Sequence, residues 1–372
     1  MNKVEVWIEP VFSSSQWCHN LLNGIKHGAK THHLHVLYIE TATPHYVDDG
    51  AVVLTGETQG WFHRMLDYCN NNRIRCCIAS NIRIENEFAS LVQCDYRQIS
   101  RNMSRYLFSA GKRKIALLGI NHSSPSDMIR VDGYLDAIRM LSLDLSEKDI
   151  FFTEGNIAKC CDDFLMKHDD YDAVIASNNL YAVYLLGRLK RAGIKVPEDL
   201  FLSSFGITKL AQASIPSITT IADNLHSIGY QSMVCIDSLV HDSNISRLSI
   251  VVQPESILGG STEYYPFPEF QMARSDYAEL SVYSTNDDSI NQINRLESCL
   301  FNADKIDCQI IFELARNKLT KSEIAEKLFI SGGTLNYRTD KMIKKNALKS
   351  RAEFISLLQE YSEFIDFSKL IE

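Results

Sequence analysis

The chain has 372 residues, of which 45% are hydrophobic and 23% charged, with a formal net charge of −8. That length holds two or three domains with buried cores, and the composition is that of an ordinary globular protein. No apolar run approaches the roughly 20 residues of a membrane span, and Met1 to Ile8 enters a strand with no apolar signal core, so a cytoplasmic protein without membrane contact is expected.

Ten cysteines carry no repeated C-x-x-C spacing, and the adjacent pairs Cys76-Cys77 and Cys160-Cys161 are poorly placed for structural disulfides. They read as buried thiols acting as small hydrophobes. His32, His33 and His35 lack a cysteine or acidic ligand at a matching interval, so no metal site is expected.

Strand and helix signals alternate over the first 260 residues. Strands are predicted at 4–8, 34–38, 51–54, 75–79, 114–120, 150–152, 173–176 and 200–203. Helices are predicted at 17–29, 61–70, 96–110, 130–141, 158–168 and 180–192. This order predicts an α/β fold with parallel, doubly wound sheets. In such sheets ligands sit beyond the carboxyl ends of the strands. The loops there are Ser13 to Trp17, which offers Ser13 and Ser15, then Asn121 to Arg130 and Ser177 to Asn179. All are polar, and none is a glycine-rich phosphate cradle.

From about 263 to 286 the alternation stops and the chain reads as a connector. Ile290, Ile293, Leu296 and Leu300 then recur at helical intervals. That stripe fits either a dimer-forming or signal-carrying helix, or a helix packed on the preceding lobe. The expected division is a two-lobed sensor over 1–262, a connector over 263–300 and a small all-α domain over 301–372.

Within the last of these, Thr320 and Glu323 spell a capping box at a helix start. Ile324, Ala325 and Leu328 give that helix one apolar face. Ser331 or Thr334 can cap a second helix after a short break. Leu335, Met342 and Ile343 fall on its inner side, and Asn336, Tyr337, Asp340, Lys341 and Lys344 on or near the other. Ser350 and Glu353 then precede the stripe Phe354, Leu357, Leu358 and Tyr361. Helix, tight turn, basic-faced helix and buttress helix together offer a helix to the major groove.

Between 316 and 351 ten cations stand against three acids, a local balance of +7 that leaves −15 for the rest of the chain. A basic patch on an acidic protein points to a polyanion partner for that patch, here double-stranded DNA. The candidate contacts are Thr320, Lys321, Ser331, Thr334, Asn336, Tyr337, Arg338, Lys341, Lys344 and Lys345. Long cations at the far end of the helix suit phosphates, while Asn336, Tyr337 and Lys341 suit base edges.

The run Glu323-Ile324-Ala325, Leu328, Ile330-Ser331, Thr334-Leu335, with Ser350 to Glu353 spelling SRAE, resembles the LuxR-type (GerE-like) helix-turn-helix over some 55 residues. Gly333 departs from the family's basic or polar residue, and Asn346 from its core leucine. The first departure removes a DNA contact; the second is expected to loosen the helix end.

Over about 1–262 the chain resembles the LacI/GalR regulators and the type-1 periplasmic binding proteins. The resemblance rests on Lys112 to Gly119, Arg130-x-x-Gly133-Tyr134, Ala173 to Asn178, Ala192 to Asp199, and Pro216 to Thr220 with Ile228-Gly229. It implies two α/β lobes joined by three crossovers, near Asp95, Asp223 and Arg247, with a small ligand in the cleft. It also implies Trp17, Arg130, Asn178 and Asp223 as lining residues: an aromatic face, a bidentate donor, an amide and an acid. Phe205-Gly206 stands where many sugar binders carry an aspartate, which leaves no carboxylate for hydroxyls, so the resemblance supports a small-molecule effector (a sugar or other small polar metabolite) better than a sugar specifically.

The sequence therefore predicts an effector-responsive transcription regulator, a homodimer on DNA, with no cofactor. The rival is a solute-binding or receptor module that delivers a small ligand to a protein partner. No nucleophile elbow, metal constellation or phosphate loop suggests an enzyme.

Overall fold

The computed structural model describes residues 3–371, apart from 14, 48–49, 81–83, 85, 268–286, 317, 347 and 349. The chain opens with β1 (Lys3–Ile8), α1 (Pro10–Ser13), α2 (Gln16–Thr31), β2 (His35–Glu40), β3 (Ala51–Thr55) and α3 (Gln59–Asn71). Next come β4 (Arg75–Ala79), β5 (Ser90–Cys94), α4 (Tyr96–Ser109), β6 (Ile115–Ile120), α5 (Pro125–Leu141) and β7 (Ile150–Phe152). They lead to α6 (Ile157–Leu165), β8 (Ala173–Ala176), α7 (Asn179–Arg191), β9 (Phe201–Phe205), α8 (Lys209–Ala213) and β10 (Thr219–Ala222). The alternation ends with α9 (Leu225–His241), β11 (Ser249–Val252) and β12 (Glu255–Ile257). Among the described residues five α-helices then follow, α10 (Asp288–Phe301), α11 (Lys305–Arg316), α12 (Lys321–Lys327), α13 (Gly332–Lys345) and α14 (Arg351–Ser362), before a short 3-10 turn at Phe367–Leu370.

These elements form two compact units, the first made of Met1–Ser100, Ser123–Gly133 and Ala222–Glu255. Its sheet has the order β2-β1-β3-β4-β5-β11, with every neighbouring pair parallel. All five residues of β3 are buried, as expected for a strand covered on both faces. Helices α2 and α9 cross so closely that a Cβ on Gly24 would lie 2.0 Å from the His226 carbonyl oxygen. Glycine is required at that crossing.

The second unit comprises Arg101–His122, Tyr134–Ile221 and Ser256–Glu372. Its sheet has the order β7-β6-β8-β9-β10-β12. One apolar core runs from Leu118, Val174 and Leu202 on this sheet through Leu185 and Leu186 of α7 into α10, and on to Leu335, Phe354 and Leu358. The C-terminal helices thus share a core with the second sheet. Ile290, Ile293, Leu296 and Leu300 are each 0% exposed. The stripe on α10 is therefore buried within its own chain and is not the dimer-forming face that its spacing allowed.

Two boundaries differ from those expected. Helix α5 starts at Pro125, because proline suits the first helical turn and Ser124 Oγ accepts from the Asp127 backbone N–H at 3.3 Å. The polar loop expected up to Arg130 is correspondingly shorter. The third passage between sheets falls between Val252 and Glu255, beyond Arg247, because Leu91 N donates to the Leu248 carbonyl and Leu248 N to Ser90 Oγ, both at 2.9 Å. Those bonds hold the chain against β5 for longer. The expected connector lies largely outside the described residues, as does Lys349.

Candidate nucleic-acid interface and effector residues

Helix α12 begins at a full capping box. Glu323 Oε2 accepts from the Thr320 backbone N–H and hydroxyl, both at 2.7 Å, and Thr320 Oγ1 accepts from Glu323 N at 3.4 Å. Ser331 Oγ caps α13 by accepting from Thr334 N at 3.0 Å, and its hydroxyl meets that of Thr334 at 2.9 Å. Ser350 Oγ caps α14 through Glu353 N at 3.1 Å. Phe329 turns the chain between α12 and α13 at φ +53°. The apolar side of α13, Leu335, Met342 and Ile343, is buried. Asn336, Tyr337, Asp340, Lys341, Lys344 and Lys345 lie on the exposed side.

The basic patch is smaller than its composition suggests. Arg338 Nη1 donates to Asp304 Oδ2 at 2.7 Å and Asp307 Oδ1 at 2.9 Å, and this hydrogen bonding holds the Asp304 carboxyl below its ordinary value. Arg338 thereby ties α13 to α11. Lys327 donates to buried Glu313 at 2.7 Å, Lys345 to Asn302 at 2.8 Å, and Arg351 to Asn336 Oδ1 at 3.2 Å. Lys318, Lys321, Lys341 and Lys344 are exposed cations outside the described ion pairs. Asn346 ends α13, where its backbone N–H and its Nδ2 both donate to the Met342 carbonyl, at 3.3 and 2.7 Å.

Among the effector candidates, Arg130 is 7% exposed. Its Nη1 donates to Asp127 Oδ1 at 2.8 Å, and its guanidinium lies 4.8 Å from the centre of the Tyr96 ring. Tyr96 Oη donates to Asp223 Oδ2 at 2.5 Å. Burial raises the Asp223 pKa, against the Tyr96 hydrogen bond and the Arg130 charge. Cys94 also lies within hydrogen-bonding reach of the Asp223 carboxyl.

Tyr96 was not singled out in the sequence, although it follows the predicted crossover. Asp127 was legible as an i−3 partner of Arg130 once α5 is extended. Ser13 and Ser15 serve local structure: Ser13 Oγ donates to the Pro10 carbonyl at 2.9 Å, and Ser15 Oγ accepts from Cys18 N at 3.1 Å to cap α2. Trp17 is half-buried, edge-on to Phe12 with ring centres 6.1 Å apart. These three occupy the α1–α2 corner of the first unit. Asn178 belongs to the second, where its Oδ1 caps α7 by accepting from Tyr181 N at 2.9 Å.

The fold is a two-sheet α/β architecture with a helical C-terminal helix-turn-helix region. A family described as periplasmic binding protein-like domain matches residues 104–262, and one described as winged helix-turn-helix DNA-binding matches 304–349. The chain is 27% identical over 191 residues to the HTH-type transcriptional repressor CytR of Escherichia coli (strain K12), covering 49% of this chain and 55% of that one. It is 22% identical over 220 residues to catabolite control protein A of Staphylococcus xylosus, covering 58% and 64%. It thus spans about half to two thirds of the length of these relatives. Among solved structures, a transcriptional regulator CelR–cellobiose complex superposes at TM-score 0.58 with 15% identity, covering 70% of this chain and 84% of that one. CcpA of Lactococcus lactis superposes at 0.56 with 18% identity, covering 71% and 100%.

Proposed function

We propose that the chain is an effector-responsive, DNA-binding transcription regulator. Its sensor takes a small polar molecule, and α13 reads the major groove as part of a cytoplasmic homodimer. The observation that carries this reading is α13 itself: its apolar side is fixed in a core while Asn336, Tyr337, Lys341 and Lys344 face outward. A helix held this way presents base-reading groups without having to order them on binding. The LuxR-type form of the motif is favoured by the succession of α11 to α14, with no strand between α13 and α14 among the described residues. A winged motif carries a hairpin there. The effector reading rests on the Arg130–Tyr96–Asp223 cluster, whose buried cation, hydroxyl and acid suit a small polar ligand.

Selection of duplexes from a random pool, followed by gel-shift titration, tests the DNA reading. Enrichment of a common site and a shift that weakens with salt are expected. A chain that is stabilised by small metabolites but enriches no DNA is a solute-binding or receptor module, and the regulator reading falls.

A further inference from the structure

The functional reading leaves one fully buried acid without a role. Glu297, on α10, is 0% exposed. Its two carboxylate oxygens accept separately from Lys209 N at 2.9 Å and Leu210 N at 2.8 Å, the first two amides of α8. In return Lys209 Nζ donates to the Leu300 carbonyl at 2.9 Å, in the last turn of α10. Each helix thus satisfies an end of the other.

The far end of α8 is gripped as well. Asp366 N donates to the Ala213 carbonyl at 2.9 Å and Ile215 N to the Phe364 carbonyl at 2.8 Å, with a bridge between Ser214 and Ile365. The two grips come from α10, which leads into α11–α14, and from the segment that leaves them. A helix of five residues is therefore clamped by both flanks of the DNA-binding region.

Upstream, α8 is tied to the β8–α7 corner that carries Asn178. Asn179 Nδ2 donates to the Gly206 carbonyl at 2.8 Å, and the same carbonyl accepts from the Thr220 hydroxyl. The Ser204 hydroxyl donates to Asn179 Oδ1. Gly206 lies two residues before Thr208, whose Oγ1 accepts from Ala211 N at 3.2 Å to cap α8.

We infer that α8 is the element that couples the sensor to the DNA-binding helices, with Glu297 as its positioning residue. This rests on the regulator reading above. A short helix clamped at both ends moves only with its clamps, so a shift of the Gly206 loop passes to α10 and to the segment after α14 together. Pulling α10 away instead would strand two amides, that of Leu210 buried and that of Lys209 partly so, which is costly, so the joint transmits rather than slips.

The test is a double-mutant cycle in the full chain. Asn179→Ala perturbs the sensor end of the path, and Glu297→Ala or Glu297→Gln its output end. The Gln variant keeps the volume and one acceptor should the Ala variant fail to fold. The probe is the duplex enriched by the wild-type protein. Asn179→Ala is expected to change affinity by about fivefold or more in the wild-type background and by much less beside either Glu297 variant. Melting temperatures, measured alongside, register any purely structural loss. Independent effects on DNA affinity, or no effect of Asn179→Ala, overturn the coupling. If the wild type enriches no duplex, the regulator reading fails by itself and hydrogen exchange decides the coupling. Asn179→Ala should then alter exchange in α12 and α13 only while Glu297 is present, and an equal change in both backgrounds ends the proposal.

Discussion

On α13 the side chains divide by what they can reach. Lys344 lies near the C-terminal end, where a long cation meets phosphates, whereas Asn336 and Lys341 lie nearer the start and middle. Lys344→Ala should weaken binding to all duplexes alike and lower the salt slope by roughly one. Asn336→Ala or Lys341→Ala should instead reduce preference for the selected site over scrambled DNA, by about 1–3 kcal/mol for each bidentate hydrogen-bonded pairing with a base that is removed. Titrations on both duplexes at several salt concentrations separate the two, and an unchanged specificity ratio would remove α13 as the reader. Arg338→Ala belongs elsewhere. Because Arg338 joins α13 to Asp304 and Asp307, it should cost roughly 1 kcal/mol of stability in denaturant unfolding and leave the salt slope alone. Gly333 offers the converse experiment, since an added Cβ would meet only Ser331 Oγ, at 3.6 Å. Gly333→Lys should steepen the salt slope by about one if the start of α13 lies along the DNA backbone. An unaltered slope would place that turn away from the phosphates.

At the level of elements, the α8–α10 joint makes a pH prediction. Burial pushes the Glu297 carboxyl up to about 7, against the two amides and the Lys209 charge that favour ionisation. The unfolded chain releases this proton near the ordinary value of 4.5. Between those values the folded state holds the proton and the unfolded state does not, so the contribution is fully present below pH 4.5. It is lost as pH rises towards about 7, to a limit of roughly 3 kcal/mol. Glu297→Gln has no such proton. The difference in unfolding free energy between wild type and variant should therefore change across that window and level off above it. A constant difference from pH 4.5 to 8 would mean that Glu297 titrates normally. The same joint explains why an apolar stripe did not reveal its partner: its period fixed which side of α10 is buried, while its covering came from α7, α8 and α14 of the same chain.

For the whole molecule, burial of the α10 stripe moves any dimer contact to other surfaces. A single helix-turn-helix has a small footprint, and two copies related by a two-fold axis would read half-sites about one helical turn, or a multiple, apart. Sedimentation should give two chains per selected duplex, with that spacing visible in the enriched sequences. One chain per tight site would exclude the dimer. The Arg130–Tyr96–Asp223 cluster is also a tertiary product, since Tyr96 and Asp223 are 127 residues apart in sequence.

The sequence by itself determined what depends on neighbours along the chain. Alternating apolar runs marked most strands and helices of the two sheets, and the caps at Thr320, Ser331 and Ser350 stand where residue type and spacing put them. Which side of α13 is buried followed from helical periodicity alone. Only the tertiary structure decided which polar groups remain available. The ion pairs of Arg338 with Asp304 and Asp307, some thirty residues away, had no local signal. Arg130 was expected to line a cleft, and the fold sets its guanidinium 4.8 Å from the centre of the Tyr96 ring. Glu297 gave no signal, because its partners lie 87 and 88 residues earlier. Periodicity is a property of a segment, whereas the pairing of a buried charge is set by whatever the fold brings within hydrogen-bonding distance, and no local pattern encodes that distance.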